Sequence, residues 1–284
     1  MPILLCLVNV MFMIAGVFLN SVVIISLMRS SQLRKNLGYF MIFVLSCFDL
    51  AVVAISHPVL LLLIISWSTK AHHQDKNEFD TWAYKVQYSL AGFSTSALLT
   101  MSVERYLALK YPFFHHTAVT KRRLLLFQAF FMIMIVSVSS LLHFHWETFG
   151  NVVTIVFISL FLFLLIYLNY NMFIIAKSKN IEVSSLKTQS DEESKRRKLN
   201  FKNISTCPVA ISCFFICALP HIIYSILNST NTLSSEQGMK IFKFCAITFI
   251  DINSTLNCLI FFWRNSILRR EGMKTIKRFR PGRS

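Results

Sequence analysis

Charge is what this chain has least of: Asp, Glu, Lys and Arg make up 15% of its 284 residues, where soluble domains run nearer a quarter. That excludes a water-solvated fold as the main architecture. Disulfide material is missing as well. All seven Cys (Cys6, Cys47, Cys207, Cys213, Cys217, Cys245 and Cys258) fall inside apolar segments. No framework of bridges between loops is argued from them, and they read as small buried hydrophobes. No internal repeat is evident, and neither half shows broken helices, which argues against an inverted-repeat transporter. His57 and His143 are isolated and outside any i, i+4 metal motif, so an intramembrane enzyme lacks its paired groups. The first apolar run has no basic start and no A-x-A-like site, so it reads as a signal anchor rather than a cleaved leader.

What remains is apolar. Hydrophobic residues are 55% of the chain and the mean hydropathy is +0.56. A spanning helix needs roughly 20 apolar residues, and seven such runs are present, over 2–28, 38–66, 82–109, 124–144, 151–176, 204–227 and 239–263. Every backbone group in lipid must be satisfied within its own segment, so the runs are helices. The expectation is an all-α membrane protein. A seven-transmembrane helix bundle occupies 1–263, and a short amphipathic eighth helix and tail occupy 264–284. In that tail Ile267, Leu268, Ile276 and Phe279 share one face while Arg and Lys cover the other, as in a helix lying on membrane lipids. Gly272 weakens this helix, Pro281 would end it, and no Cys follows it for acylation. Trp67, Trp82, Trp146 and Trp263 stand at run ends, as an aromatic belt requires.

A net charge of +16 would suggest nucleic acid in a soluble protein. Its distribution argues for no nucleic acid. Arg29, Arg34, Lys35, Lys110, Lys121, Arg122 and Arg123 follow odd-numbered runs, as do the segment 177–202 and the tail 264–283. The other side carries Lys70, Lys76, Lys85, Lys240 and Lys243, countered by Asp75, Glu78, Asp80, Glu147 and Glu236. The positive-inside rule sets the N-terminus outside and the C-terminus in the cytoplasm of a multi-pass membrane protein. The basic block Lys195-Arg196-Arg197-Lys198 is a solvated extension, or a surface for anionic lipid or a cytoplasmic partner. His72-His73, in an outer loop, are read as solvated.

Glu104-Arg105-Tyr106 ends the third run on the basic side. An ionisable pair at such a place is costly and needs a partner or water, although an Arg at a helix end also snorkels to headgroups. With the residues that follow, Leu107-Ala108-Leu109-Lys110-Tyr111-Pro112, the string resembles the Asp/Glu-Arg-Tyr motif that ends the third helix of rhodopsin-like (class A) G-protein-coupled receptors. That family's Pro stands seven residues after the Arg, as Pro112 does. The stretch 104–116 looks like divergent invertebrate orphan receptors. The resemblance extends from Asn20, in Gly16-x-x-x-Asn20, through Leu45-x-x-x-Asp49 and Phe214-x-x-Cys217-Ala218-Leu219-Pro220 to Asn253-Ser254-x-x-Asn257. It implies a plasma-membrane receptor that binds an extracellular small-molecule ligand and activates a heterotrimeric G protein by helix rearrangement. Glu104, Arg105 and Tyr106 would serve coupling, and Tyr170 would pack toward the Arg on activation. Phe214 and Pro220 would belong to the moving sixth helix, where Pro220 removes a backbone hydrogen bond and permits a kink.

Asp49 lies in the middle of the second run and must face the bundle interior, a partner or water. Ser94 is about three turns from Arg105 on the same face, and Asn253 and Asn257 are one turn apart. These residues read as interhelical hydrogen bonds, each worth roughly 0.6 kcal/mol. The resemblance implies instead a sodium ion held by Asp49, Ser94, Asn253 and Asn257, whose oxygens suit a hard cation. No other cofactor is expected. Gln87 lies on the Arg105 face roughly 27 Å higher, where aminergic relatives carry an Asp. Asp251 falls where opsins carry the retinal Lys, so no retinal is expected. Asp251 reads as a counter-ion for a cationic ligand, with Tyr88 and His221 flanking it, or as a structural acid paired with Gln87 or Lys243. The departures lie in the switch. Ala218 replaces the sixth-helix Trp, and Asn257-Cys258-Leu259-Ile260-Phe261 lacks the Pro and Tyr of the seventh-helix motif.

Overall fold

A computed structural model describes residues 2–69, 76–141, 147–185, 206–230 and 235–278. The basic block 195–198, His72-His73, His143, Trp146, Phe279 and Pro281 lie outside the described residues. Eleven α-helices and one π-helical turn are formed among the described residues. They are α1 (Pro2–Arg29), α2 (Ser31–Lys35), α3 (Leu37–Ala51), the π turn (Val52–Ser56), α4 (His57–Ser68), α5 (Lys76–Lys110), α6 (Pro112–Ala118), α7 (Lys121–Leu141), α8 (Glu147–Ser185), α9 (Thr206–Thr230), α10 (Glu236–Arg264) and α11 (Ser266–Arg278). With α3, the π turn and α4 taken as one continuous rod, seven long helices make the bundle.

The reversal between α1 and α3 is written in two caps. Ser30 accepts from Leu33 N–H and opens α2, and Asn36 Oδ1 accepts from Gly38 N–H at 2.9 Å and opens α3. Each satisfies a helix-start donor that has no partner inside the helix. The π turn has an equally local cause. Pro58 offers no N–H, and its ring would collide with the carbonyl of Ala54 in an unbroken α-helix. The chain widens by one residue instead, and His57 N–H reaches back five residues to Val52 O.

Among the described residues five rods are long and apolar enough to cross a membrane: Pro2–Arg29, Leu37–Ser68, Lys121–Ser140, Cys207–Asn228 and Glu236–Arg264. A shorter apolar stretch, Ser159–Ile175, lies in α8. The run expected over 82–109 became the 35-residue α5, which is not apolar throughout. The reason is its position. It packs against α3, α4, α7, α8, α9 and α10, so it meets protein rather than lipid along much of its length and can carry Ser94, Ser96, Thr100 and Ser102 buried. Gln128 of α7 serves this face. It donates to Ser96 Oγ at 2.8 Å and Phe93 O at 3.2 Å, and accepts from Thr100 at 3.0 Å. Gln128→Leu is therefore expected to destabilise the α5–α7 pair by about 1–3 kcal/mol, read as a lower Tm of the detergent-solubilised protein.

The helix expected from 264 onward is α11, and its apolar stripe does more than meet lipid. Asn265 Oδ1 caps it, accepting from Ile267 and Leu268 N–H, and Tyr39 OH donates to the same oxygen at 3.2 Å. Ser26 of α1 meets Thr275 at 3.1 Å, and Leu268 is buried in the bundle. Gly272, expected only to weaken the helix, has a structural reason: a Cβ there would run into the ring of Phe262. All seven Cys are free thiols.

Candidate functional site

Three polar groups are buried one above another along the bundle. At the basic end Glu104 is almost inaccessible, and its carboxylate is shared by the Arg105 guanidinium and the His115 ring. Arg105 Nε lies 3.4 Å from Oε2 and His115 Nε2 lies 2.9 Å from Oε1. His115 comes from α6, the short helix that Pro112 starts. The Arg105 guanidinium lies directly against Gly38, where any Cβ would overlap it. Tyr106 turns aside, its hydroxyl accepting from Lys110 at 2.7 Å.

The middle group is centred on Asp49. Ser94 donates to its Oδ1 and Asn257 Nδ2 to its Oδ2 at 3.4 Å. Asn20 joins from α1, donating to Ser254 O at 3.5 Å. The buried oxygens Asn20 Oδ1, Asn253 Oδ1 and Asn257 Oδ1 have no hydrogen-bond partner. One carboxylate, one hydroxyl and spare amide oxygens make a donor set that fits a hard monovalent cation. Asp49, Ser94 and Asn257 meet directly, while the Asn253 amide oxygen is buried on the same helix without bonding to them.

The third group stands six or seven residues further along each of the same three rods, about 9–11 Å away. Ser56 Oγ donates to both oxygens of Asp251, at 2.8 and 3.0 Å, and Gln87 Nε2 donates to Ser56 O at 3.3 Å. Asp251 thus pairs neither with Gln87 nor with Lys243, the structural partners expected for it. Ser56, delivered by the π turn, stands between the two. Beside it His57 Nδ1 bonds Asn9 Oδ1 at 2.8 Å, and Asn9 Nδ2 donates to Thr248 at 3.0 Å. Above lies an aromatic wall, with Tyr88 edge-on to His221 at 5.3 Å and His221 beside Tyr224 at 6.2 Å. Lys243 sits over the Tyr84 ring at 3.3 Å.

The remaining expected residues lie apart from these groups. Phe214 is buried in the α9 core and Pro220 lies within the unbroken α9. Tyr170 is 64% exposed on α8 and joins none of the three groups. Ser56, Asn9, His115 and Gly38 were not singled out from sequence, and His115 alone had a signal, within the stretch 104–116. Among the described residues no cluster of three His, Cys, Asp or Glu side chains is placed to hold a metal.

Residues 19–261 match the family described as 7 transmembrane receptor (rhodopsin family). A seven-rod bundle whose buried polar groups follow that family's motifs belongs to it: this chain is a member of the rhodopsin family of seven-transmembrane receptors, a multi-pass membrane protein. It is also similar to the mouse (Mus musculus) protein described as probable G-protein coupled receptor 21, at 28% identity over 212 residues, covering 65% of this chain and 59% of that protein. The human (Homo sapiens) protein of the same description is 28% identical over 214 residues, covering 66% and 59%. The aligned part thus spans 59% of the length of these relatives.

Proposed function

We propose that the protein is a plasma-membrane receptor that binds a small-molecule ligand at the Asp251 end and activates a heterotrimeric G protein at the Arg105 end. The N-terminus then lies outside and the C-terminus in the cytoplasm, in keeping with the positive-inside rule. One observation carries this reading. Buried polar groups recur from Asp251 through Asp49 to Glu104, and each ties central α5 to a helix across the bundle or to α6. Such groups have discrete hydrogen-bonding arrangements, which is what a two-state element requires. The ligand site comprises Gln87, Tyr88, His221 and Asp251. Tyr88 offers an aromatic face to a ligand cation, and Asp251 supplies its counter-charge. Rotation of α9 about Pro220 then uncovers Arg105, with Phe214 repacking beside it. Tyr106 and Tyr170 act at the same end.

A sodium ion at Asp49 would favour the resting arrangement, because its ligands come from three rods that must hold their relative positions. Agonist affinity should then fall as sodium rises, and Asp49→Asn should remove that dependence. The experiment is a sodium titration of agonist binding with choline as the ionic-strength control. The same change with choline as with sodium refutes the ion's role at Asp49. A ligand screen read by nucleotide exchange on purified G protein tests the receptor reading itself, and spin- or fluorophore-labelled α9 that stays still with an activating ligand bound contradicts rotation about Pro220.

A further inference from the structure

We infer that Asp251, Ser56 and Gln87 form a second binding site for a hard monovalent cation, one level removed from Asp49. Three observations carry it. Asp251 is buried, and its carboxylate takes a single donor, the Ser56 hydroxyl, shared between both oxygens. One O–H cannot satisfy the roughly four acceptor positions of a carboxylate, and no ion pair forms on Asp251 among the described residues. Gln87 is 1% exposed and its amide is oriented by donation from Nε2 to Ser56 O. That donation leaves Oε1 buried with no partner. Asp251 and Gln87 thus both bond to Ser56, one at its hydroxyl and the other at its backbone carbonyl, and Gln87 Oε1 lacks a donor.

An uncompensated carboxylate at this depth is costly. An amide oxygen with nothing to accept adds to that cost. A cation resolves both with one bond each, and all-oxygen coordination selects a hard one. A single carboxylate charge selects a monovalent ion such as sodium or potassium, because affinity for divalent ions rises with the number of charged ligands. The site goes beyond the proposed function and does not depend on it. A ligand ammonium reaching Asp251 would have to displace this ion.

The test uses the purified full chain in choline chloride, titrated with sodium or potassium chloride and read by Tm and by sodium-23 NMR line width. In Asp49→Asn the sodium-dependent rise in Tm should persist, on the order of several degrees at saturation. It should vanish in the double variant Asp49→Asn, Asp251→Asn. Gln87→Met in the Asp49→Asn background should raise the half-saturating sodium concentration about tenfold, as expected for loss of one charge-assisted contact. If Asp49→Asn does not fold, Asp251→Asn alone should lose one of two line-broadening components. The inference is overturned if Asp49→Asn abolishes all cation dependence, or if Asp251→Asn leaves both components in place. It is also overturned if stability follows pH and ignores the cation, which would mean a neutral Asp251 acid donating to Gln87 Oε1. None of these readouts uses an agonist, so failure here is distinct from failure of the receptor reading.

Discussion

Arg105→Ala is expected to reduce ligand-stimulated G-protein activation to background at matched surface expression, while Glu104→Gln raises basal activation about tenfold or more. Both follow from how Glu104 is held. Its carboxylate is almost wholly buried and bridges Arg105 on its own helix to His115 on α6, so the guanidinium is neutralised and lies against Gly38 of α3, the arrangement that the proposed function takes as resting. Removing the carboxylate charge removes an interaction made in that arrangement. A charge-assisted contact of this kind is worth roughly 1.5–3 kcal/mol, and a bias of 1.4 kcal/mol is about tenfold in a two-state ratio. His115→Ala should act in the same direction with a smaller effect, because Arg105 keeps its partner. Nucleotide exchange on G protein in membranes decides the matter. Equal basal rates for wild type and Glu104→Gln exclude the carboxylate as a restraint on Arg105.

The largest effect on stability is expected at Gly16. An added Cβ there would stand 2.5 Å from Thr255 Oγ1 and 2.6 Å from Val53 Cγ1. Both neighbours are β-branched and stiff at χ1, and Thr255 is further fixed by donating to Phe12 O at 3.1 Å. Neither can swing away, so α1 must separate from α10 and from the π turn together. Gly16→Leu should cost about 3 kcal/mol, the upper end of the ordinary overpacking range, and Gly16→Ala less. Gly272→Ala meets only the edge of the Phe262 ring, a side chain that can rotate, and should cost less than Gly16→Ala. Thermal unfolding in detergent ranks the three. Gly272→Ala as harmful as Gly16→Leu would contradict the argument from stiffness.

The bundle was legible because lipid makes the coding coarse: a run of some 20 apolar residues has few structural options. The middle group was legible for a similar reason. Asp49, Ser94 and Asn257 are polar residues that cannot face lipid, and three turns of helical counting from Arg105 put Ser94 at the right depth. The partner of Asp251 was not legible. Its height on α10 followed from spacing, and Gln87 does stand nearby, but the contact passes through Ser56, an ordinary-looking Ser on a third rod. Pairings between helices leave no trace in the periodicity of either one. Gly38 and Gly272 were opaque for the same reason, since what a glycine makes room for belongs to a neighbour. Tyr170 shows the opposite limit, a residue matched by motif whose side chain faces outward in this arrangement.

The π turn at Val52–Ser56 also sets how the second rod tolerates changes in length. Each residue added to or removed from a helix turns everything beyond it by about 100° and shifts it about 1.5 Å. The extra residue accommodated here fixes the phase of α4 against α3, and so the direction in which His57, Leu60, Leu63 and Ile64 face. Loss of one residue from this segment would let the wide turn close to an ordinary α-helical one, with Pro58 then clashing with the preceding turn. A loss elsewhere in α3 or α4 has no wide turn to absorb it and would turn the rod beyond it out of register. One-residue deletions within Val52–Ser56 should therefore be better tolerated than one-residue deletions within α3 or α4.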